Sequence, residues 1–397
     1  MLDLYKNPAL KYILFCSLYI SEGLVVALTS LIIILYFTDK DISISTATLV
    51  GGIASIPWAI KFIFGPTIDF FGKYGRKFFI ILGGITGTIS ISLLALIDPK
   101  TSIIPFTIFL FLGHSGVVLL DVTTDAWAIQ STKLTERGKV NAAMFTGLFA
   151  GTGFGGIIFA YIADYYNFEF VFITTSILIF ISFVFALFVK ERKIVIKRKL
   201  IKPLLIKEFS KANTQLISLL GFVFSMNFGM LRFVIPEFMT NVLSLGKTQT
   251  GILTSIYPIS IVVGAIIGGT TADKYGRKIV LYITLIGLLI SSGLLIIVNT
   301  WEKLAIIYAF IGLFTGASGY SAMQALTMDI TNPKIGGAQY SFLASIANLG
   351  GIIVGMVSGS MVLLLGYNRY FLYTALTVGI TLLILYFVKE TYKHKGK

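Results

Sequence analysis

The segments Gly65-Pro-Thr-Ile-Asp69 and Gly269-Thr-Thr-Ala-Asp273 are each followed by the triplet Gly-Arg-Lys, at positions 75–77 and 276–278. The two copies lie about half of the 397-residue chain apart. Each copy closes one long apolar run and precedes another. A short charged loop that recurs at the same place in two halves indicates a chain built from two similar blocks.

The composition indicates a membrane protein. Hydrophobic residues make up 56% of the chain and charged residues 13%, and the mean hydropathy is +0.89. A helix needs about 20 mostly apolar residues to cross a bilayer. The sequence predicts twelve such spans, at residues 10–37, 45–70, 78–97, 103–131, 138–164, 168–189, 212–242, 248–272, 278–299, 302–331, 335–366 and 370–388. Because a membrane β-barrel would show alternating apolar residues, we expect an all-α integral membrane protein with two six-helix bundles.

The net charge of +14 is distributed according to the side of the membrane. Most of the 32 lysines and arginines fall in the termini, in the linker and in the loops on the terminus side. Positive charge marks the cytoplasmic side, so we expect both termini in the cytoplasm of a plasma (inner) membrane protein, with no nucleic-acid partner. The predicted organisation is an N-terminal bundle at 1–189, a basic linker at 190–211 and a C-terminal bundle at 212–397.

Three further stretches carry a resemblance to a known family. They are Pro57-Trp-Ala-Ile-Lys61, Asp121-Val-Thr-Thr-Asp125-Ala-Trp and Asn332-Pro-Lys-Ile-Gly-Gly-Ala-Gln339-Tyr340. Together with the paired loops, they make the chain resemble the major facilitator superfamily over nearly its whole length. Within that family it is similar to the AmpG-type muropeptide permeases and the acetyl-coenzyme A transporters. The resemblance implies a secondary active transporter that works by alternating access. The chain departs from the superfamily pattern at Phe70 and Lys274, where an arginine usually follows the loop aspartate.

Ionisable side chains inside the predicted spans are the candidate substrate or proton sites, since each costs roughly 2.5–3.5 kcal/mol in hydrocarbon. Asp121 and Asp125 are four residues apart and therefore share one helix face. Two neighbouring carboxylates repel each other, which favours sharing a proton. Lys61 needs a counter-charge, and these aspartates are the nearest kind. We expect either a charge cluster that rearranges during transport or a static ion pair.

Four other polar residues in the spans have two possible roles each. Arg232 has no aligned acidic partner, because Glu237 is five residues away, so it either contacts an anionic substrate group or forms a packing or gating salt bridge. Glu22 is either a proton or substrate site or a polar anchor between helices. Asn227 and Gln324 occupy positions in the second half that correspond approximately to Glu22 and Asp121. They either line the cavity or bond neighbouring helices.

The repeated loops are predicted to form a conformational gate. In the superfamily this loop is thought to brace one conformation, and a carboxylate near a helix N-terminus is stabilised there. The alternative is that the basic residues serve only as topology signals. The gate residues are Asp69, Gly75, Arg76, Asp273, Gly276 and Arg277.

The sequence predicts neither an enzyme nor a metal or cofactor site, because the two histidines and one cysteine form no cluster. We expect proton-coupled import of a small solute that is anionic or sugar-, peptide- or acyl-linked. The protein should act as a monomer, with the proton and membrane lipids as its other partners. A facilitative uniporter, a proton-coupled exporter and a transport-inactive receptor of the same fold stay open.

Overall fold

The computed structural model describes residues 2–3, 8–70, 74–132, 137–191, 201–332 and 335–390. Helices dominate these residues, and the two short strands Leu2–Asp3 and Val189–Lys190 pair in parallel. The α-helices are α1 Pro8–Ala27, α2 Ile33–Asp39, α3 Ile44–Ala59, α4 Lys61–Phe70, α5 Arg76–Leu93, α6 Ile103–Ser131, α7 Arg137–Tyr165, α8 Phe168–Leu187, α9 Ile201–Phe209, α10 Ala212–Asn241, α11 Lys247–Tyr275, α12 Arg277–Leu294, α13 Trp301–Ala317, α14 Gln324–Asp329 and α15 Gly336–Phe387. Two π-helical turns, Leu28–Ile32 and Ser318–Met323, join α1 to α2 and α13 to α14.

The described part of the chain contains eleven helices that are long and apolar enough to cross a membrane. The last of them, Ala338–Phe387, has 50 residues, which at 1.5 Å per residue is about 75 Å and more than twice the thickness of a bilayer core. This helix breaks at Gly366, whose φ of 73° is not helical. It therefore consists of two spans, which confirms the predicted all-α architecture with twelve membrane helices.

The chain forms two compact units. The first contains the segments that end at Ile42, that run from Ile53 through the second strand, and that cover Gly246–Ile252. The second contains Ser43–Gly52, the stretch from α9 to Leu245, and the remainder from Leu253. Each unit thus includes the first residues of one helix, α11 or α3, whose remainder belongs to the other unit. The division of the chain at residues 189 and 211 stays a prediction.

Close contacts at glycine hold corresponding pairs of helices together in the two units: α1 with α7, and α10 with the first half of α15. In the first unit, a Cβ atom on Gly23 of α1 would overlap the carbonyl oxygen of Leu148 in α7. In the second unit, a Cβ on Gly229 of α10 would overlap the carbonyl oxygen of Gly351 in α15. Membrane helices associate through such small residues because backbones can then approach closely. The contact fixes the depth and rotation of α1, and thereby of Glu22 beside Gly23.

The linker helix α9 is held against the beginning of α15. Glu208 accepts hydrogen bonds from Nζ of Lys211 at 2.5 Å and from Nδ2 of Asn332 at 2.9 Å. The next residue, Phe209, packs edge-on against Phe342, with 4.9 Å between the ring centroids. The hydrogen bond from Lys211, followed by that from Asn332, holds the pKa of Glu208 below its usual range.

This lowered pKa predicts a pH-dependent contribution to stability. Because the folded pKa lies below the unfolded value of about 4.3, the contribution is present above that value and is lost as the pH falls through the folded pKa. Glu208→Gln should therefore lower the unfolding free energy at pH 7 by about 0.5 kcal/mol, since Lys211 is solvent-screened, and this effect should shrink as the pH falls through the folded pKa. Thermal unfolding at pH 7 and at about pH 3 measures both effects. An equal effect at both pH values would contradict the assignment.

Candidate functional site

Three helices of the first unit, α1, α4 and α6, bring charged residues together within the membrane-spanning part. Nζ of Lys61 in α4 lies 3.7 Å from Oδ2 of Asp121 in α6. The side chain of Asp121 is 4% exposed and that of Lys61 22%. The two residues are far apart in sequence, and the structure makes them an ion pair.

Asp125 and Glu22 complete the group. The hydroxyl of Tyr19 donates a hydrogen bond to Oδ1 of Asp125 at 2.5 Å. Glu22 interacts electrostatically with Asp121, Lys61 and Asp125. Its Oε2 atom is buried and has no hydrogen-bond partner among the described residues. We call these five residues, Tyr19, Glu22, Lys61, Asp121 and Asp125, the carboxylate cluster.

Sequence reasoning missed Tyr19, although a signal was available. Tyr19 is three residues before Glu22 and therefore lies on the same face of α1. It is only 8% exposed, and a buried tyrosine hydroxyl usually has a hydrogen-bond partner. The position of a tyrosine three residues before a glutamate, on the same face of a membrane helix, was the missed indication.

A helix break places Lys61 at the edge of this cluster. Pro57 lies inside α3, and Ile60 separates α3 from α4. Proline removes a backbone donor and disturbs the preceding helical turn. Lys61 is thus the first residue of α4. The backbone can change direction between α3 and α4 while each helix stays regular.

The cluster contains three carboxyl groups and one ammonium group. Full ionisation would leave two uncompensated negative charges in a region of low dielectric constant, which is costly. The arrangement is therefore suited to binding and releasing a proton, with titration shared among the carboxyl groups. Among the described residues, no group of three His, Cys, Asp or Glu side chains is arranged to hold a metal ion.

In the second unit, Arg232 of α10 is a charged residue inside a membrane-spanning helix. Its guanidinium carbon lies 5.1 Å from the ring centroid of Phe233 and 6.0 Å from that of Phe228. Its Nε and Nη2 atoms are buried and have no hydrogen-bond partner among the described residues. Glu237 does not pair with it, because Glu237 accepts hydrogen bonds from Tyr367 and, at 2.8 Å, from Nδ2 of Asn241. A buried guanidinium with unused donors is suited to bind an anion.

The structure does not place Asn227 and Gln324 beside Arg232. Nδ2 of Asn227 donates to the carbonyl oxygen of Thr374 at 3.1 Å, so it bonds α10 to α15, which is the interhelical alternative. Asn227 precedes Arg232 by five positions, so the two side chains point about 140° apart around the axis of α10. Gln324 accepts a hydrogen bond from Tyr340 and lines a small cavity with Gly221. That level of α10 is about 16 Å from Arg232 along the helix.

A larger cavity of about 490 Å³ lies elsewhere in the second unit, between α11, α12 and α13. Its walls are almost entirely apolar, and they include the exposed side chains of Ile267, Ile279 and Ile283. None of the predicted site residues lines it. In a membrane protein, exposed isoleucines of this kind face lipid, so this groove is not a candidate functional site.

The two repeated loops have the same backbone geometry. Gly75 and Gly276 have φ values of 87° and 99°, and each immediately precedes a helix, α5 or α12. The backbone N–H of Arg76 donates to Glu191, and the backbone N–H of Arg277 donates to Oε1 of Glu390 at 2.7 Å. A carboxylate therefore caps each helix N-terminus, where the helix dipole stabilises negative charge.

A second repeat in the sequence supplies these carboxylates. Phe188-Val-Lys-Glu191 and Phe387-Val-Lys-Glu390 are identical tetrapeptides that follow α8 and end α15. Nζ of Lys77 donates to the carbonyl oxygens of Leu187 and Val189, both at 2.8 Å. Lys278 does the same at the end of α15, to Tyr386 at 3.0 Å and Val388 at 2.7 Å. This repeat, which was not among the predicted motifs, joins each loop to the last helix of its half.

The arginines of the two loops contact polar side chains of neighbouring segments. Arg277 forms ion pairs with Asp273 at 3.3 Å and with Asp329 at 2.7 Å. In the first half, Nε of Arg76 lies 3.4 Å from Oε1 of Gln130, a neutral residue. The side chain of Asp69 lies outside the described residues. The second loop is thus held by ion pairs of Arg277 with two aspartates.

The backbone geometry predicts an effect of adding a side chain at Gly276. Its φ of 99° and ψ of 148° lie in a region that is almost restricted to glycine. Gly276→Ala should therefore lower the unfolding free energy by about 1–3 kcal/mol, measured by thermal unfolding. Gly269→Ala is the control, because its nearest neighbour would be Ser321 Cβ at 3.9 Å. Equal stability of the two variants would contradict the strain argument.

Comparison with known proteins agrees with this architecture. The chain is 24% identical over 411 residues to the putative transporter AmpG 4 of Rickettsia conorii, and the match covers 97% of each chain. It is 22% identical to the anhydromuropeptide permease of Escherichia coli K12, with 99% of this chain and 82% of the relative covered. The solved structure of a D-xylose–proton symporter superposes with a TM-score of 0.76 at 18% identity, covering 98% and 97% of the two chains.

A family model assigns the chain to a family over nearly its whole length. A sequence model of the Major Facilitator Superfamily matches residues 13–216 and again residues 217–397. The two matches together cover nearly the whole chain, and each covers one half of it. The chain therefore belongs to the Major Facilitator Superfamily and is a membrane transporter, not an enzyme.

Proposed function

We propose that this transporter is a proton-coupled importer of a small solute that is anionic or sugar-, peptide- or acyl-linked, and that it works by alternating access. The carboxylate cluster is the observation that carries the proposal. A site with three carboxyl groups and one ammonium group gains or loses a proton more readily than it holds its full charge. Coupling arises when the proton and the solute favour the same conformation.

Arg232 provides the anion-binding part of the proposal. Its two buried unpaired donor atoms match the two oxygens of a carboxylate or phosphate, which arginine binds in bidentate fashion. The flanking rings of Phe228 and Phe233 provide a flat surface for a sugar ring or an acyl chain. The name of the Escherichia coli relative, anhydromuropeptide permease, supports a solute of the sugar- or peptide-linked kind.

The orientation and the gate are part of the same proposal. The excess of basic residues on the terminus side supports cytoplasmic termini in a plasma (inner) membrane. The capped loops at Gly75 and Gly276 are proposed to brace one conformation, each through its glutamate. The bracing would be released when the helices at the terminus side separate, and the protein is proposed to act as a monomer.

Proteoliposomes loaded with the pH-sensitive dye pyranine test this function. An anhydromuropeptide is added outside with no pH gradient imposed, and the internal pH and the solute content are followed together. We expect the lumen to acidify as the solute enters. Solute entry without acidification would indicate a uniporter, and alkalinisation would indicate exchange of the solute for protons. Binding without movement of solute would indicate a receptor.

A further inference from the structure

A second group of polar residues lies in the first unit and has no role in the mechanism above. The ring of His114 in α6 is fully buried. Its Nδ1 atom is 3.1 Å from Nε1 of Trp58, and its Nε2 atom is 2.7 Å from Oγ1 of Thr29. Thr29 belongs to the π-helical turn Leu28–Ile32, a kind of distortion that is frequent at functional sites.

The hydrogen bonds determine the protonation of this histidine. An indole N–H can only donate, so Nδ1 of His114 must carry a lone pair. The single proton of the neutral ring is then on Nε2 and is donated to Oγ1 of Thr29, whose own hydroxyl donates to the carbonyl oxygen of Val25 at 2.9 Å. A second proton on His114 would place it on Nδ1, where two donors would face each other and the bond from Trp58 would be lost.

These three residues lie close to the carboxylate cluster along each helix. His114 precedes Asp121 by seven residues and Thr29 follows Glu22 by seven, which is about two helical turns in both cases. Trp58 precedes Lys61 by three residues, across the break at Ile60. Trp58 therefore anchors the end of α3 at the point where the backbone turns into α4.

We propose that His114 is a positioning residue that, through Trp58, holds Lys61 at Asp121, and that protonation of His114 releases Trp58 and the helix break. The ion pair between Lys61 and Asp121 then loses its support, and the carboxylate cluster can rearrange. Histidine is the side chain that ordinarily changes charge between about pH 5 and pH 8. This inference rests on the proposed proton coupling and adds a sensor to it.

Among the described residues, the ionisable groups within about two helical turns of His114, Thr29 or Trp58 along their own helices are Glu22, Lys61 and Asp121 of the carboxylate cluster and the phenol of Tyr36 in α2. Tyr19 and Glu22 are on α1, Lys61 is on α4, and Asp121 and Asp125 are on α6 itself. The other neighbouring helices contribute no ionisable residue at this depth: α3 has none along its whole length, α5 has none after Lys77, and α7 has none between Val140 and Ala160. Because a tyrosine ordinarily titrates near pH 10, a response of Trp58 between about pH 5 and pH 8 is assigned to His114 or to the carboxylate cluster.

Fluorine NMR of protein labelled with 5-fluorotryptophan separates these two sources. The chain has three tryptophans, so Trp58→Phe identifies the Trp58 resonance without altering the buried Trp127. In lipid nanodiscs without solute, we expect the Trp58 resonance to shift through a titration step between about pH 8 and pH 5. The resonances of Trp127 and Trp301 should not follow this step.

His114→Asn is the decisive variant. The asparagine oxygen can still accept from Trp58 but cannot bind a proton, so the step in the Trp58 resonance should disappear. A step that persists in this variant, or one that is absent from the unmodified protein, would overturn the inference. In Asp125→Asn protein the step should remain, so a failure of proton-coupled transport and a failure of this inference give different results. In transport assays, His114→Asn should flatten the pH profile of uptake.

Discussion

Replacement of Asp125 by asparagine is expected to abolish proton-driven accumulation of solute while leaving solute exchange across the membrane. The asparagine oxygen can still accept the hydrogen bond from Tyr19, so the packing around the site is kept. The amide cannot bind and release a proton, and accumulation then loses its driving force. Gradient-driven uptake should fall by about a hundredfold or more, as expected for loss of a positioned proton-transfer group.

The measurement compares uptake driven by an imposed pH gradient with counterflow at equal pH, in the same proteoliposomes. Glu237→Gln is the matched control, because Glu237 is a buried carboxyl group of the second unit that is bonded to Tyr367 and Asn241. It lies outside the carboxylate cluster, so both activities should survive. Equal loss of uptake and exchange in Asp125→Asn protein would show that Asp125 serves folding or gating instead.

Replacement of Arg232 by alanine should weaken the binding of acidic solutes selectively. Hydrogen bonds to a charged group are each worth about 1.5–3 kcal/mol, so the loss of one such bond corresponds to roughly a 10- to 150-fold increase in Kd. A neutral analogue, in which the carboxylate of the same solute is amidated, should lose much less. Arg232→Lys should fall between, because lysine keeps the charge and lacks the planar fork.

Thermal-shift titration of the purified variants with an anhydromuropeptide and its amidated form measures this difference. Arg369→Ala removes one positive charge from an exposed position near the break at Gly366 and serves as the control. Both proteins have the same net charge, so a general electrostatic effect would appear in both. Unchanged affinity of Arg232→Ala protein for the acidic solute would reject the substrate-contact role.

The fold could be predicted from the sequence because the signals for it are local. A run of about 20 apolar residues is sufficient to indicate a membrane helix, and the repeated loop identifies two halves. The one long helix that crosses two spans, Ala338–Phe387, was divided correctly at its glycine. The identical tetrapeptides that end at Glu191 and Glu390 were equally local, and they were missed because they contain few unusual residues.

The candidate site was predictable only in part. The cost of charge in hydrocarbon singled out Glu22, Lys61, Asp121, Asp125 and Arg232 without any structure. The roles of the amides were harder to predict, because an asparagine such as Asn227 can either line a cavity or bond two helices, and the sequence does not distinguish the two. The structure places its donor on Thr374, which depends on how α10 is rotated against α15.

The sequence by itself determined that the chain lies in a membrane, how many membrane helices it has, that its two halves are duplicates, and which charged residues lie inside the helices. These properties follow from the free energy of placing each side chain in lipid, which depends on the residue and its immediate neighbours. Only the tertiary structure decided that Lys61 pairs with Asp121, that Tyr19 bonds Asp125, and that His114 lies between Trp58 and Thr29. Those contacts depend on helix rotation and depth, which close packing at residues such as Gly23 fixes.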